Sequence, residues 1–497
     1  MQKTESPEQT LAQAEAQLRS LQSDIGSSEF SWTLADLLLA LQGDAELSLE
    51  AAACEPEAIH FNSVSTDSRT LAPGALYIAL AGERFDGHDF IEQAVVQGAA
   101  VILAERSVDA AVPVVVVDNS RLALGRFAAW HRMQMPVQTL VAITGSNGKT
   151  TTKTLLNQLF SSVGETLATQ GNLNNDLGVP RTLLNLRPRH QYAVIEMGAN
   201  HPGEIAYLTE LAKPDIALLN NASGAHLEGF GSLQGVIETK GEIFDGLNRF
   251  HQNGVAIINC ESAGFDFWLQ KLQQNNACKI LKFGLAPSAD VRLNSVESDA
   301  DGVGFTVEYA AEKHAVKMPV LGTHNAYNAA ACIAVCHAAG LQWQQMQPVL
   351  QSFTGVGGRL QPCRLQFGYL IDDSYNANPE SVKAGIRALK DLGGISMLCL
   401  GAMGELGVDS EQGHRSVAEF AQQAGIQHLW LLGEETEPML SVFHADGRRF
   451  DDHQQMIAEL KAFLRQSNEV NILVKGSRTA RMELVTQALT DEFAVEK

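Results

Sequence analysis

The chain has 497 residues, a formal net charge of −21 from 36 basic and 57 acidic side chains, and a hydrophobic content of 45%. That size suggests three domains with well-filled cores, and the acidic balance argues against nucleic-acid binding, which leaves a basic footprint. No apolar run approaches the roughly 18–20 residues that span a bilayer, the polar N-terminus is unlike a secretory signal, and the seven scattered cysteines, with no C-x-x-C pair, suit a reducing cytoplasm.

Residues 1–28 read as an appendage. Leu11, Ala14, Leu18, Leu21 and Ile25 recur at helical spacing, which fits either a short amphipathic docking helix or a frayed tail. A first domain is expected over 29–135. Its strand-like runs Gly74 to Leu80, Ala100 to Leu103 and Pro113 to Val117 alternate with a helix from Phe90 to Gln97, a small α/β unit.

A central domain is expected over 136–362. It opens with the apolar strand Leu140 to Ile143, which breaks into Thr144-Gly-Ser-Asn-Gly-Lys-Thr-Thr-Thr152. In such a turn backbone N–H groups converge on phosphate oxygens, the lysine adds a point charge and the threonine hydroxyl can hold Mg²⁺. An ordinary strand–turn–helix is the plainer alternative. The common P-loop places a glycine where this chain has Ile143; Gly145 gives the tighter Gly-x-x-Gly-Lys-Thr, which points away from switch GTPases. Further runs at Tyr192 to Ile195, Ile216 to Leu219 and Val255 to Ile258, separated by helical segments, predict a doubly wound, mostly parallel sheet. Cys332 and Cys336 read as buried small hydrophobes on a helix. A third domain over 363–497 has strands at Tyr369 to Ile371, Ser396 to Leu400, His428 to Leu432 and Val470 to Val474, a Rossmann-like pattern without the Gly-x-Gly-x-x-Gly fingerprint.

Several residues carry chemistry. Glu196 ends a strand, where ligands of open α/β sheets bind, and can take Mg²⁺ directly; a capping or solvated glutamate is the alternative. His226 lies in a glycine-rich loop. Lys240 reads as a surface lysine unless it is buried; a buried neutral amine can react with CO₂ to give a carbamate, a carboxylate-like metal ligand. Asn325 and Asn328, three apart on one helix face, offer the paired donors and acceptors that an adenine edge needs, or Asn325 caps the helix. Arg359 follows the hinge Gly357-Gly358. Asp372 and Asp373 end a strand, while Asn378 before Pro379 is an N-cap, plain architecture. Lys475-Gly-Ser-Arg478 is a basic turn suited to a carboxylate or phosphate.

Together these residues resemble the Mur ligase family, the ATP-dependent amide ligases of peptidoglycan precursor assembly. The family pattern Thr-Gly-x-Asn-Gly-Lys-Thr is met at Thr144–Thr150, and the resemblance covers roughly residues 30–497. It implies an N-terminal UDP-sugar domain, a central P-loop ATPase domain and a C-terminal Rossmann-like domain. The segments Asp372–Ser381, Ala225–Ser232 and Lys475–Arg478 are similar to the member that joins D-alanyl-D-alanine to UDP-N-acetylmuramoyl-tripeptide. A Mur-type ligase that adds a single amino acid is the alternative. The Asp-Asn-Pro-Arg motif of the diaminopimelate-adding member and the Asp-Gly-Ala-His-Asn-Pro segment of folylpolyglutamate synthase are absent. Nor does an Asn-Lys-x-Asp guanine motif occur, which argues against a P-loop switch.

The resemblance also implies roles. Thr144, Gly145, Ser146, Asn147, Gly148, Lys149, Thr150 and Thr151 would hold the ATP phosphates, with Asn325 and Asn328 at adenine, Asp373 at ribose and Arg359 at the γ-phosphate. Thr150 and Glu196 would bind one Mg²⁺, and His226 and carbamylated Lys240 a second. Ser68, Arg69 and Arg84 would contact the UDP moiety, and Asn172 the UDP-peptide. Asn376, Lys475 and Arg478 are candidates for the dipeptide pocket. A cytoplasmic monomer acting on small molecules is expected, with closure across the Gly357-Gly358 hinge.

Overall fold

The computed structural model describes residues 30–495 except 44, 48–54, 83–84, 225–226, 248–252, 276–277 and 468. The appendage expected over 1–28 lies outside the described residues. The chain divides into two compact units, Met1–Trp130 and His131–Lys497. In the first, a five-stranded sheet runs in the order Ala45–Leu47, Val114–Val117, Val101–Ala104, Ala75–Ile78, Ser63–Ser65, parallel except for the antiparallel edge strand Ala45–Leu47. Its central strands are apolar at nearly every position because both faces are covered, as parallel sheets require.

The second unit contains two sheets. The larger has nine strands in the order Glu312–Met318, Gly302–Tyr309, Val291–Asp299, Lys279–Gly284, Val255–Asn259, Ile216–Leu219, Thr139–Thr144, Tyr192–Glu196, Thr166–Ala168. From Lys279–Gly284 to Thr166–Ala168 all neighbours are parallel, matching the expected doubly wound sheet. The strand from residue 139 lies inside the sheet. The chain leaves it toward one edge and later returns to its other side, so its carboxyl end is a topological switch point, where crevices form. The antiparallel meander over Val291–Met318 was not anticipated; its signal is the alternation of buried and exposed side chains along Val291–Asp299 and Gly302–Tyr309.

Two helices cover the sheet beside the switch point, Lys149–Ser161 and His324–Ala338. The second is buried along Ala329-Ala-Ala-Cys-Ile-Ala-Val-Cys336, and its small side chains let backbones approach from several sides. Cys332 and Cys336 are fully buried, as expected of small hydrophobes.

The last sheet has six strands ordered Gln361–Leu365, Gly368–Asp373, Val470–Lys475, Ile395–Gly401, His428–Leu432, Asp446–Phe450, parallel except for the first. Alternate residues feed two cores. Leu398, Leu400, Leu429 and Leu431 face one, and Met397, Cys399, Trp430 and Leu432 the other.

His131 begins this unit fully buried, bonded through Nε2 to the Leu186 carbonyl at 3.0 Å. Burial pushes its pKa from 6.5 down to about 4, so the fold holds it neutral. Its contribution is complete above pH 6.5 and is lost as pH falls toward 4, because the unfolded chain then binds the extra proton. The loss is on the order of 3 kcal/mol. Chemical denaturation across this window is expected to show a stability decline that His131→Gln makes shallower; identical slopes would refute the assignment.

Candidate active site

Three loops meet at the carboxyl ends of the adjacent strands Thr139–Thr144, Tyr192–Glu196 and Ile216–Leu219. The glycine turn is fixed by the third. Asn147 donates its N–H to Asn221 Oδ1 at 2.9 Å and its side-chain amide to Ser223 Oγ at 3.1 Å, while its carbonyl accepts from Asn220 and Asn221, each at 3.0 Å. The Ser146 hydroxyl donates to the Ser223 carbonyl at 3.1 Å. Gly148, with φ of +80°, caps the helix Lys149–Ser161 without any side-chain cap, which leaves its first N–H groups facing the turn. A Cβ at Gly148 would lie 2.5 Å from Asn220 Nδ2 and Asn328 Oδ1. The buried Thr144 hydroxyl donates to the Met197 carbonyl at 2.8 Å, tying the loop strand to its neighbour. Thr151 is half-buried in the first turn of the helix.

Glu196 is 2% exposed at its strand end. Its carboxylate accepts from the Thr150 hydroxyl at 3.1 Å and from Asn174 at 2.9 Å, and Lys153 Nζ stands 3.6 Å away. Lys153 also donates to the Gly171 carbonyl at 3.2 Å, joining the metal-ligand candidate to the loop that carries exposed Asn172. Sequence reasoning missed Lys153, although its position four residues after Lys149 puts both amines on one helix face. Lys149 Nζ donates to the Gly145 carbonyl at 2.6 Å. Lost hydration lowers the pKa of both lysines, and the Glu196 charge opposes that shift. Arg359 donates to Thr150 Oγ1 at 3.0 Å and lies 4.4 Å over the Tyr375 ring. A carboxylate and a hydroxyl this close, beside a phosphate-type loop, suit a hard cation such as Mg²⁺.

Lys240 is 1% exposed, on the helix Leu233–Gly241, so the surface-lysine alternative fails. Its amine lies 5.6 Å from the Phe230 ring centre. Burial, reinforced by the Lys149 charge, pushes its pKa well below the usual lysine value, toward the neutral amine. His226 lies outside the described residues. Among the described residues there is no cluster of three His, Cys, Asp or Glu able to hold a metal.

Asn325 does not cap its helix; the cap position is Thr323, and the Asn325 amide donates to the Leu321 carbonyl at 2.8 Å. Asn328 donates to Asn325 Oδ1 at 2.9 Å, and its own Oδ1 accepts from Asn220 at 3.0 Å. The pair is buried against the glycine turn. Asp373 pairs with Lys475 at 2.6 Å; burial raises its pKa and the lysine opposes the rise. Lys475 is itself buried and also donates to the Asn376 carbonyl at 2.8 Å, so it braces the loop bearing exposed Asn376. Exposed Arg478 is 3.3 Å from Glu483.

In the first unit, buried Ser68 donates to Gln93 at 2.9 Å, and exposed Arg69 forks onto Asp67 at 2.7 and 2.9 Å. Arg84 lies outside the described residues.

A helix-borne phosphate turn at a switch point, a buried carboxylate and an arginine stacked on the next α/β layer define a nucleotide-dependent enzyme. Family comparison makes the class specific. The Mur ligase family catalytic domain matches residues 60–138, the Mur ligase middle domain 143–336, and the Mur ligase glutamate ligase domain 358–478. The chain is 42% identical over 435 residues to the UDP-N-acetylmuramoyl-tripeptide–D-alanyl-D-alanine ligase of Escherichia coli, covering 87% of this chain and 94% of that one. It is 33% identical to the Bacillus subtilis protein of the same name, covering 88% and 94%. Among solved structures, MurF from Acinetobacter baumannii superposes with a TM-score of 0.85 at 34% identity, covering 93% of this chain and 99% of that one. The Thermotoga maritima MurF ligase in complex with ADP gives 0.77 at 29%, covering 86% and 97%. This chain belongs to the Mur ligase family and is a ligase.

Proposed function

We propose that the protein is the ATP-dependent ligase that joins D-alanyl-D-alanine to UDP-N-acetylmuramoyl-tripeptide. The observation that carries this reading is buried Glu196 bonded to the Thr150 hydroxyl, with Lys153 at 3.6 Å and Arg359 reaching Thr150 from the hinge, beside the turn that carries Lys149. The shared name of the relatives supplies the substrates. A peptide carboxylate is a poor electrophile. Transfer of the γ-phosphoryl group of ATP to it breaks the bond to ADP and forms an acyl phosphate. The neutral amine of the dipeptide then attacks the acyl carbon, and phosphate leaves from the tetrahedral intermediate. Catalysis is largely positioning and charge neutralisation.

The chain's own groups divide this work. N–H groups of the turn and helix start cradle phosphate oxygens, Lys149 adds a charge, and Arg359 offsets repulsion between the acceptor carboxylate and the triphosphate. Thr150 and Glu196 hold Mg²⁺, which when bound neutralises and polarises phosphate oxygens. Lys240 adds its neutral amine to CO₂ with loss of a proton, giving a carbamate that with His226 serves a second Mg²⁺. Asn328, backed by Asn325, holds Asn220 and through it the turn, and the pair borders the adenine. Asp373 meets the ribose. Ser68, Arg69 and Arg84 take the UDP moiety, Asn172 borders the UDP-peptide, and Arg478 with Asn376 is left to grip the dipeptide carboxylate. Among the described residues no helix is long and apolar enough to cross a membrane; a cytoplasmic monomer is proposed.

Coupled detection of ADP tests the reading. Release is expected only when UDP-N-acetylmuramoyl-tripeptide and D-alanyl-D-alanine are both present with ATP and Mg²⁺. Equal release with a single amino acid in place of the dipeptide would favour a different Mur-type ligase.

A further inference from the structure

Asn378 reads from sequence as an N-cap. It is one: its Oδ1 accepts from the Ser381 N–H at 2.9 Å at the start of the helix Pro379–Asp391. The other end of the same amide does something a cap does not need. Its Nδ2 donates to Oδ1 of Asn147, in the phosphate turn, at 2.8 Å. The remaining polar groups of Asn147 are taken by Asn220, Asn221 and Ser223, so the turn cannot drift to follow Asn378.

The other partner is equally fixed. Lys475 ties the Asn376 carbonyl to Asp373 and so holds the loop 373–378 against the six-stranded sheet. The same loop supplies Tyr375, whose ring lies under Arg359, and Arg359 reaches Thr150. One short loop therefore meets the phosphate turn at two points three residues apart, at Asn147 directly and at Thr150 through Arg359.

We propose that Asn378 is a positioning residue that registers the phosphate turn against the C-terminal sheet when the ligase is closed. This rests on the ligase reading above. Phosphoryl transfer followed by amine attack needs ATP, held by one sheet, aligned with an acceptor held beside the other. A displacement of about 1 Å in such an alignment can cost on the order of 10²-fold in rate.

Asn378→Ser separates the two roles, because serine is an equally good N-cap and is too short to reach Asn147. The expected result is a kcat lowered about tenfold or more, an unchanged melting temperature, and a smaller compaction in X-ray scattering when a non-hydrolysable ATP analogue and the UDP-tripeptide are added. Asn378→Asp also keeps the cap but sets a negative charge against the phosphate turn, and is expected to raise the KM for ATP more than it changes kcat. Wild-type kcat and compaction in the serine variant would overturn the proposal and leave Asn378 a cap alone. Wild-type KM for ATP in the aspartate variant would likewise count against the contact. Compaction is read without turnover, so a failure of the ligase reading, seen as no ligation by the unmodified protein, is distinguishable from a failure of this one.

Discussion

Replacing Lys240 by alanine is expected to lower ligation on the order of 10³-fold, the scale seen when a preorganised charge-stabilising group is removed. The lysine lies fully inside the protein, beside Phe230, with its amine held toward the neutral form. A neutral amine is the species that captures CO₂, so dependence on added bicarbonate is expected to grow as pH falls through its lowered pKa and the amine protonates. Acetate or formate at millimolar concentration is expected to restore part of the alanine variant's activity by occupying the place of the carbamate. Steady-state ADP release with and without the acid measures this. An alanine variant with full activity and no response to acids would remove the carbamate from the mechanism.

Gly148→Ala is expected to be nearly as damaging, for a different reason. Its φ of +80° costs an alanine roughly 1–2 kcal/mol. The new methyl would also press 2.5 Å from two side-chain amides, Asn220 and Asn328, which are hydrogen-bonded to each other. Either the turn or the amide pair must move, and kcat/KM for ATP is expected to fall about 10²-fold. Gly340→Ala is the comparison. That glycine also has positive φ, at +87°, yet a Cβ there meets nothing within 4 Å. It should lose stability and keep its rate. Equal rate losses in the two variants would show that backbone strain alone, not the amide pair, governs the turn.

How much of this was legible in the sequence depended on whether the signal was local. The phosphate turn was legible because an apolar strand, two glycines and Lys149-Thr150 follow one another in the chain. Glu196 was legible because it ends a strand. The meander over Val291–Met318 is less legible because its alternation is a weaker signal than the apolar runs of the buried parallel strands. Burial of Lys240 depends on packing around the helix Leu233–Gly241, which one sequence does not display. Lys475 reads as part of a basic turn suited to a carboxylate or phosphate, and the fold draws it inward onto the carboxylate of Asp373. Asn378 was half legible: capping is a local property, whereas its bond to Asn147 spans 231 residues of chain.

The place of the strand Thr139–Thr144 within the nine-stranded sheet has a consequence for folding. Its two flanking strands lie later in the chain, at Tyr192–Glu196 and Ile216–Leu219, so loops of some tens of residues must close before either edge is satisfied. Such non-local parallel pairing is slow compared with hairpin formation. The turn at its end takes Asn220 and Asn221 from just beyond the carboxyl end of the second flank. Nucleotide can therefore be held only by a chain whose sheet interior has already closed, and bound nucleotide reports that closure.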